Sequence, residues 1–469
     1  MKSWAIIAAA TVSSAVLWHF GTGLQPLAGL AVLAPIPVLL IAPRVSAGIA
    51  FLVGALSRLD GELQLWSYFV DTLEQPAPVT ALLLGGTAVA FGAAVVLTRA
   101  LLVRGRMTLA ALALPAVWVV LEYLLAVLGP FGAWWSIAYT QADVLPLIQT
   151  AALTGLWGIT FLILLVPATI GVLTAPRATR VQRLRVGGGV AVLLLAVAAF
   201  GWSRSVVPPD PDSTRVGLLA VSQPEDYVPV DTPEGRDMIE RVAREIERLA
   251  DHGAQVVVLP EKAWRANEYT LPLLAEPLVE LAHRRGIHII AGLVLTRAGD
   301  SVNAAIEYPS GVVYAKHYLI PGLEDELRPG TEWQRVPGTP WALAVCFDLD
   351  RPSLVRENVR RGAELLLVPA LDFTDDAWLH SRMAVLRGVE SGVGVARAPQ
   401  LGQLVASDHR GRVLGTERTG VTVTRSVVAS IPRPVGRTLY ARCGDWFAWT
   451  SAVLCAVTVA GVVRRRSIS

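Results

Sequence analysis

Three cysteines in 469 residues are too few and too scattered for a disulfide framework. Cys346 stands alone in mid-chain, while Cys443 and Cys455 fall beside and inside the last apolar run. Charge is also scarce: 17% of residues are charged against 53% hydrophobic, with a mean hydropathy of +0.50. That balance is too apolar for a water-soluble enzyme of this length and requires a membrane around part of the chain. His252, His283, His288, His317, His380 and His409 show no zinc-like spacing, so no metal is expected. A glycine-rich phosphate loop and a basic patch interleaved with aromatics are both absent, which removes nucleic acid from the expected partners.

What the chain has instead is a series of long apolar runs near 4–20, 24–42, 45–57 with a continuation to about 69, 79–98, 108–128, 144–173 and 186–203. Most suit a bilayer-crossing helix of about 20 residues. Arg58, Asp60 and Glu62 interrupt the third, and Glu122 falls inside the fifth, where a carboxylate is costly. Lys2 and the first run also fit a signal peptide, but six further runs follow, so an uncleaved span is expected. Alternate loops carry Arg44, then Arg99, Arg104 and Arg106, then Arg177, Arg180, Arg183 and Arg185; the intervening loops are mostly acidic. By the positive-inside rule the basic loops are cytoplasmic. Seven spans then place the chain from Pro208 onward outside, and an eighth, ending in Arg464, Arg465 and Arg466, brings the C-terminus back. The outer loop GPFGAWWSIAY, 129–139, is suited to the headgroup level.

The second half holds most of the carboxylates. VVPPDPDS at 206–213 reads as a linker. Beyond it RVGLLAVSQ reads as a strand, and Met238, Ile239, Val242, Ile246 and Leu249 recur at helical spacing up to Gly253. QVVVLPE, HIIAGLVL, AAIEYPSG, VVYAKHYLI, the segment before Cys346, ELLLVPAL, GVGVARA, QLVASDHRGRV and TVTRSVVAS read as strands, with helices expected over 271–285, 352–361 and 376–391. Continuous apolar strands alternating with helices indicate a layered α/β domain buried on both faces.

Within it, WALAVCFDLDRPSLVR places Cys346 where an apolar run ends and a helix opens at Pro352 and Ser353. A thiol there lies near unpaired N–H groups and the positive end of a helix dipole, which favours thiolate. A lone cysteine after a strand is otherwise a small buried hydrophobe. Two upstream carriers of charge change the reading: Glu261, directly after VVVLP, and Lys316, inside VVYAKHYLI. Glutamate, lysine and cysteine in this order resemble the carbon–nitrogen hydrolase (nitrilase) superfamily. The resemblance implies a four-layer αββα sandwich over 213–435, with Cys346 attacking a carbonyl, Glu261 carrying the proton and Lys316 holding the oxyanion.

A multi-span α-helical membrane domain over 1–205, the nitrilase-like α/β domain over 213–435 and a last transmembrane helix over 444–463 together resemble the apolipoprotein N-acyltransferase family. That family has a glutamate eight residues after its lysine, matched by Glu324, and a glutamate two after its cysteine, where Asp348 stands. ALDFTDDAW replaces its Asn-Asp-Trp-Phe-Gly loop, and RVGLLAVSQPEDYV lacks the Asn and Trp that follow its first strand. The resemblance implies a multi-pass protein of the bacterial cytoplasmic membrane, its catalytic domain on the external face. It implies ping-pong transfer of an acyl chain from membrane phospholipid to Cys346, then to the α-amine of a diacylglyceryl-cysteine lipoprotein. It further implies a monomer without cofactor, with Glu324 and Asp348 supporting the site. The departures leave open a membrane-tethered amidase, with water as acceptor, and a lipid-binding scaffold without turnover.

Overall fold

The computed structural model describes residues 2–208, 210–224 and 227–463, so Arg464, Arg465 and Arg466 lie outside the described residues, as do Pro209 of the linker and Glu225 and Asp226. The chain forms two compact units, Met1–Ser205 with Asp445–Ser469, and Val206–Gly444.

The first unit is helical: α1 (Lys2–Gly21), α2 (Leu30–Leu33), α3 (Ile36–Ile41), α4 (Ala47–Leu63), α5 (Ala77–Val103), α6 (Met107–Leu128), α7 (Leu145–Ile148), α8 (Ala151–Thr154), α9 (Leu156–Leu173) and α10 (Arg180–Ser205). Among the described residues six helices are long and apolar enough to cross a membrane: α1, α5, α6, α9, α10 and the C-terminal helix. The run 24–42 does not form one such helix. Gly29 sits at φ 88 and Pro35 lacks an N–H, so the run breaks into α2 and α3. The run 144–173 breaks likewise at Gly155, φ 67, ahead of α9. Within α4, Arg58 and Glu62 are buried and paired with each other, and the guanidinium stacks 4.4 Å from the Trp18 ring and 5.1 Å from that of Trp118.

Glu122 of α6 is buried and fully partnered. It accepts from Trp118 Nε1 at 3.1 Å, Ile137 N at 2.8 Å, Ser136 Oγ at 2.8 Å and Thr160 Oγ1 at 2.7 Å. This costly carboxylate therefore pins the 131–141 segment to α6 and α9. In the same segment Phe131, Trp134 and Tyr139 turn inward and are buried. Trp134 stacks on Tyr68 at 5.7 Å and Trp135 on Phe69 at 5.0 Å, so these rings pack on each other.

The second unit runs β1 (Ser213–Ala220), β2 (Val228–Pro229), α11 (Pro233–Asp251), β3 (Val256–Val258), β4 (Trp264–Asn267), α12 (Leu271–Arg285), β5 (His288–Arg297), β6 (Asp300–Tyr308), β7 (Val312–Ala315), β8 (Trp341–Leu343), α13 (Pro352–Arg360), β9 (Leu365–Leu371), α14 (Ala377–Ser391), β10 (Gly394–Gln400), β11 (Gln403–Ser407), β12 (Val413–Arg418), β13 (Arg425–Pro432) and α15 (Leu439–Cys443). The chain then rejoins the first unit through α16 (Trp446–Val463). One sheet has the order β13-β1-β3-β5-β4-β2, with β6 on β5 and β7 on β6; the other runs β12-β11-β10-β9-β8.

Strand alternation sorts the side chains into layers. Val216, Leu218, Val256, Val258 and Ile290 enter a core shared with Leu365, Leu367, Ala396 and Leu404 of the second sheet. Their neighbours Leu219, Val257, Ile289 and Ala291 face the other way, onto Ile246 and Leu249 of α11 and Leu274 and Leu278 of α12. On the second sheet α14 packs against β10 and β11, and α13 packs against α14. The result is the αββα sandwich. Two short strands, β2 and β4, have no counterpart in the periodicity of the sequence, being only two and four residues long.

Candidate active site

β3 stops at Val258, and the chain carries Glu261 across β5 on a backbone that only glycine beneath it allows: a Cβ on Gly292 would meet Glu261 Cα at 2.6 Å. Glu261 N donates to Ala370 O at 3.1 Å, which ties this turn to the second sheet. Lys316 lies one residue beyond β7 rather than within it, its N donating to Asn303 O at 2.8 Å. Lys316 Nζ is fully buried, 2.8 Å from Glu261 Oε1 and 2.7 Å from Glu324 Oε2. Asn303 completes the array, its Nδ2 donating to Glu261 Oε1 at 2.5 Å and Glu324 Oε1 at 2.7 Å. Lys262 Nζ stands 3.4 Å from Glu324 Oε1.

These contacts decide the charges. Burial pushes the Lys316 ammonium down, but Glu261 and Glu324 outweigh it and hold the group well above its usual range. Glu324, raised by burial, is brought down to about 2 by Lys316 and Lys262. Lys316 is thus a fixed cation and Glu324 a fixed anion.

Cys346 follows β8 and opens a tight turn, Cys346–Asp350, ahead of α13. Its φ of 41 is left-handed, as is that of Lys262 at 49, so two non-glycine residues of one site hold backbone strain of roughly 1–3 kcal/mol each. The thiol donates to Leu371 O at 3.5 Å. The expected thiolate is not the resting form. Burial raises the thiol well above its usual range, Glu261 adds to this, and Lys316 and Arg397 offset only part of it. The nearest long helix begins only at Pro352, after the turn.

Asp348 has a different place from Glu324. It makes no hydrogen bond to Lys316 Nζ; it accepts from Val345 N at 3.0 Å, Tyr314 Oη at 2.7 Å, His317 N at 3.1 Å and Tyr318 N at 3.0 Å. It therefore clamps the cysteine turn to the lysine segment. The structure brings Glu261, Lys316 and Glu324 into direct contact and sets Cys346 within their electrostatic reach.

Asn303, Lys262, Tyr314, Asp372 and Arg397 were not singled out by sequence reasoning. A lone asparagine in SVNAAIEY and a lone arginine in GVGVARA, each in an otherwise apolar strand, were the available signals. Arg397 of β10 is buried. Its Nη1 donates to Asp372 Oδ2 at 2.6 Å, its Nη2 donates to Oδ1, and Nη2 lies 3.8 Å from Cys346 Sγ. Asp372, Asp376 and His380 bring ligand-type atoms within 4.8 Å of one another. Asp372 is engaged by Arg397, and His380, lowered by burial but raised further by Asp376 and Asp372, is held protonated up to about pH 9; the charges of this cluster are matched internally.

Residues 14–169 match the family described as apolipoprotein N-acyltransferase N-terminal domain, and residues 218–450 match carbon-nitrogen hydrolase. An apolipoprotein N-acyltransferase of Geobacter metallireducens is 28% identical over 395 residues, covering 76% of this chain and 74% of the relative. One from Gloeobacter violaceus is 29% identical over 371 residues, covering 71% and 68%. Among solved structures, an amidase from Nesterenkonia sp. aligns with a TM-score of 0.40 at 21% identity, over 48% of this chain and 92% of that one.

Proposed function

This chain belongs to the apolipoprotein N-acyltransferase family, and from that premise we propose that it transfers a fatty acyl chain from a membrane phospholipid, through a thioester on Cys346, to the α-amine of a diacylglyceryl-cysteine lipoprotein. The observation that carries the assignment of residues is the buried array of Lys316 with Glu261 and Glu324, at 2.8 and 2.7 Å, beside a strained, buried cysteine.

In the first step Sγ attacks the ester carbonyl while Glu261 takes the thiol proton. The C–S bond forms, and Lys316 faces the developing oxyanion. As the ester C–O bond breaks, Glu261 returns the proton to the leaving oxygen and lysophospholipid departs. In the second step the lipoprotein amine attacks the thioester, Glu261 accepts its proton, and the C–S bond breaks as the amide forms. The thiol is regenerated by that proton. A resting thiol rather than thiolate suits this cycle, since the base beside it removes the proton only with substrate in place. Apolar helices keep the enzyme with its substrates; lifting an acyl chain into water would cost about 0.8 kcal/mol per methylene. The catalytic domain lies on the external face in this reading, supported by the alternation of arginines between loops.

Incubation of the purified protein with phospholipid alone tests the proposal. Intact mass should rise by one acyl chain, removable by neutral hydroxylamine and absent in Cys346→Ala. A peptide bearing a diacylglyceryl cysteine should discharge it as an amide. Hydrolysis of small amides with no adduct from any phospholipid would refute the transfer.

A further inference from the structure

Lys316 enters the reaction with its charge already balanced by two carboxylates. The sulfur nevertheless becomes an anion twice in a cycle inside a buried site, once as nucleophile and once as leaving group, and an unpaired buried charge is costly. On the side of the sulfur supplied by the second sheet stands Arg397. Two of its N–H groups are taken by Asp372, one from each terminal nitrogen, and the remaining N–H on Nη2 belongs to the nitrogen 3.8 Å from Sγ. Asp372 in turn lies 3.7 Å from His380 Nδ1, and Asp376 lies 3.2 Å from that same nitrogen.

We propose that Arg397 is a further catalytic residue of this site, the cation that holds the Cys346 sulfur as it becomes an anion, with Asp372 as the positioning residue that aims its guanidinium. The inference rests on Cys346 being the nucleophile. When the S–H bond breaks and Glu261 takes the proton, the Nη2 contact changes from a weak one to neutral sulfur into a charge-assisted hydrogen bond. The proton stays within the site, so no net charge is created there. In the second step the same bond stabilises sulfur as it leaves the thioester carbon. A planar fork suits this role, because Asp372 fixes the plane and one N–H remains for sulfur, which a flexible ammonium provides less well. The charged groups facing the sulfur are Glu261 and Lys316 from the first sheet and Asp372 and Arg397 from the second, with Asp350, Asp376 and His380 facing the arginine cluster.

The test reads the sulfur directly. In the full chain carrying Cys443→Ser and Cys455→Ser, alkylation of Cys346 by iodoacetamide is followed by intact mass from pH 6 to pH 10, alongside thermal melting and thioester yield from phospholipid. Arg397→Met should displace the pH dependence upward by about one unit, slowing alkylation near neutral pH about tenfold, and Arg397→Lys should recover part of the loss. A lower melting point with an unchanged alkylation profile would make the arginine–aspartate pair structural and overturn the proposal. If Arg397→Met does not fold, the double variant Arg397→Met with Asp372→Leu, which strands no buried carboxylate, is judged by the same criterion. Transfer activity persisting in Cys346→Ala would instead refute Cys346 as nucleophile. Normal labelling and thioester on Cys346 with an unmoved Arg397→Met profile would refute only the role of Arg397.

Discussion

The Tyr314 hydroxyl donates to Asp348 Oδ2 at 2.7 Å, and this bond ties the lysine strand to the cysteine turn across two sheets. Asp348 accepts three backbone N–H groups besides, from Val345, His317 and Tyr318. Burial raises this carboxyl above its usual range, and the hydrogen bonds offset only part of that rise. Four donors converging on one short side chain make it a rigid spacer between Cys346 and Lys316.

Asp348→Asn should therefore be more damaging than its size suggests. An amide has one acceptor oxygen: with it turned to His317 N and Tyr318 N, the NH2 can donate to the Tyr314 hydroxyl but leaves the Val345 N–H unsatisfied, at about 1–3 kcal/mol. The rate of thioester formation is expected to fall roughly 10- to 100-fold through misplacement of the reacting groups, while Tyr314→Phe, which removes one bond, should cost about 1 kcal/mol in thermal stability. Asp348→Glu should lower the rate as well, because the clamp fits the shorter side chain. A rate equal to wild type in Asp348→Asn would remove the clamp from the account.

Glu324→Gln should uncouple stability from acid. The carboxyl is held at about 2 in the folded protein against an ordinary value of 4.5. A depressed carboxylate stabilises fully above pH 4.5, and that contribution, on the order of 3 kcal/mol, is lost as pH falls toward 2. Apparent melting temperatures measured from pH 6 to pH 3 should fall more steeply in wild type than in the variant. The variant should also form thioester more slowly, because Lys316 loses one of its two partners. Parallel curves would mean that Glu324 titrates alike folded and unfolded.

Glu122→Gln should lower stability without touching the chemistry. The carboxylate accepts from an indole and a backbone N–H on one oxygen and from two hydroxyls on the other; an amide can turn its NH2 to those hydroxyls, which can accept, so charge-assisted bonds are replaced by weaker neutral ones. Solubilised protein is expected to melt at a lower temperature, with thioester yield per folded molecule unchanged. Loss of thioester at full thermal stability would point to a role in substrate handling instead.

Reporter fusions after Ser205 and after Ser469 should report opposite sides of the membrane, with the first outside. Both reporting the cytoplasm would overturn the eight-span arrangement. The second run, split into α2 and α3, and the third, whose helix α4 is 17 residues long and carries Arg58, Asp60 and Glu62, are the two expected spans not among the six long apolar helices, and an error in the span count would arise there.

The split into an apolar half and a charged half is legible in composition alone, because composition selects the solvent each half tolerates. Continuous apolar strands alternating with helices mark the second unit as a layered α/β domain, while the face that each residue of β1, β3 and β5 takes is set by the fold. The order of Glu261, Lys316 and Cys346 was legible because each ends or follows an apolar strand. What those groups meet depends on contacts between strands far apart in the chain. Asn303 reaches Glu261 because a hairpin lays β6 beside β5, and Arg397 reaches Cys346 because β10 and β8 flank β9. The helix breaks at Gly29 and Gly155 depend on backbone torsions that hydropathy does not register. The protonation of Cys346 was decided last of all, by burial and a facing carboxylate that no local pattern contains.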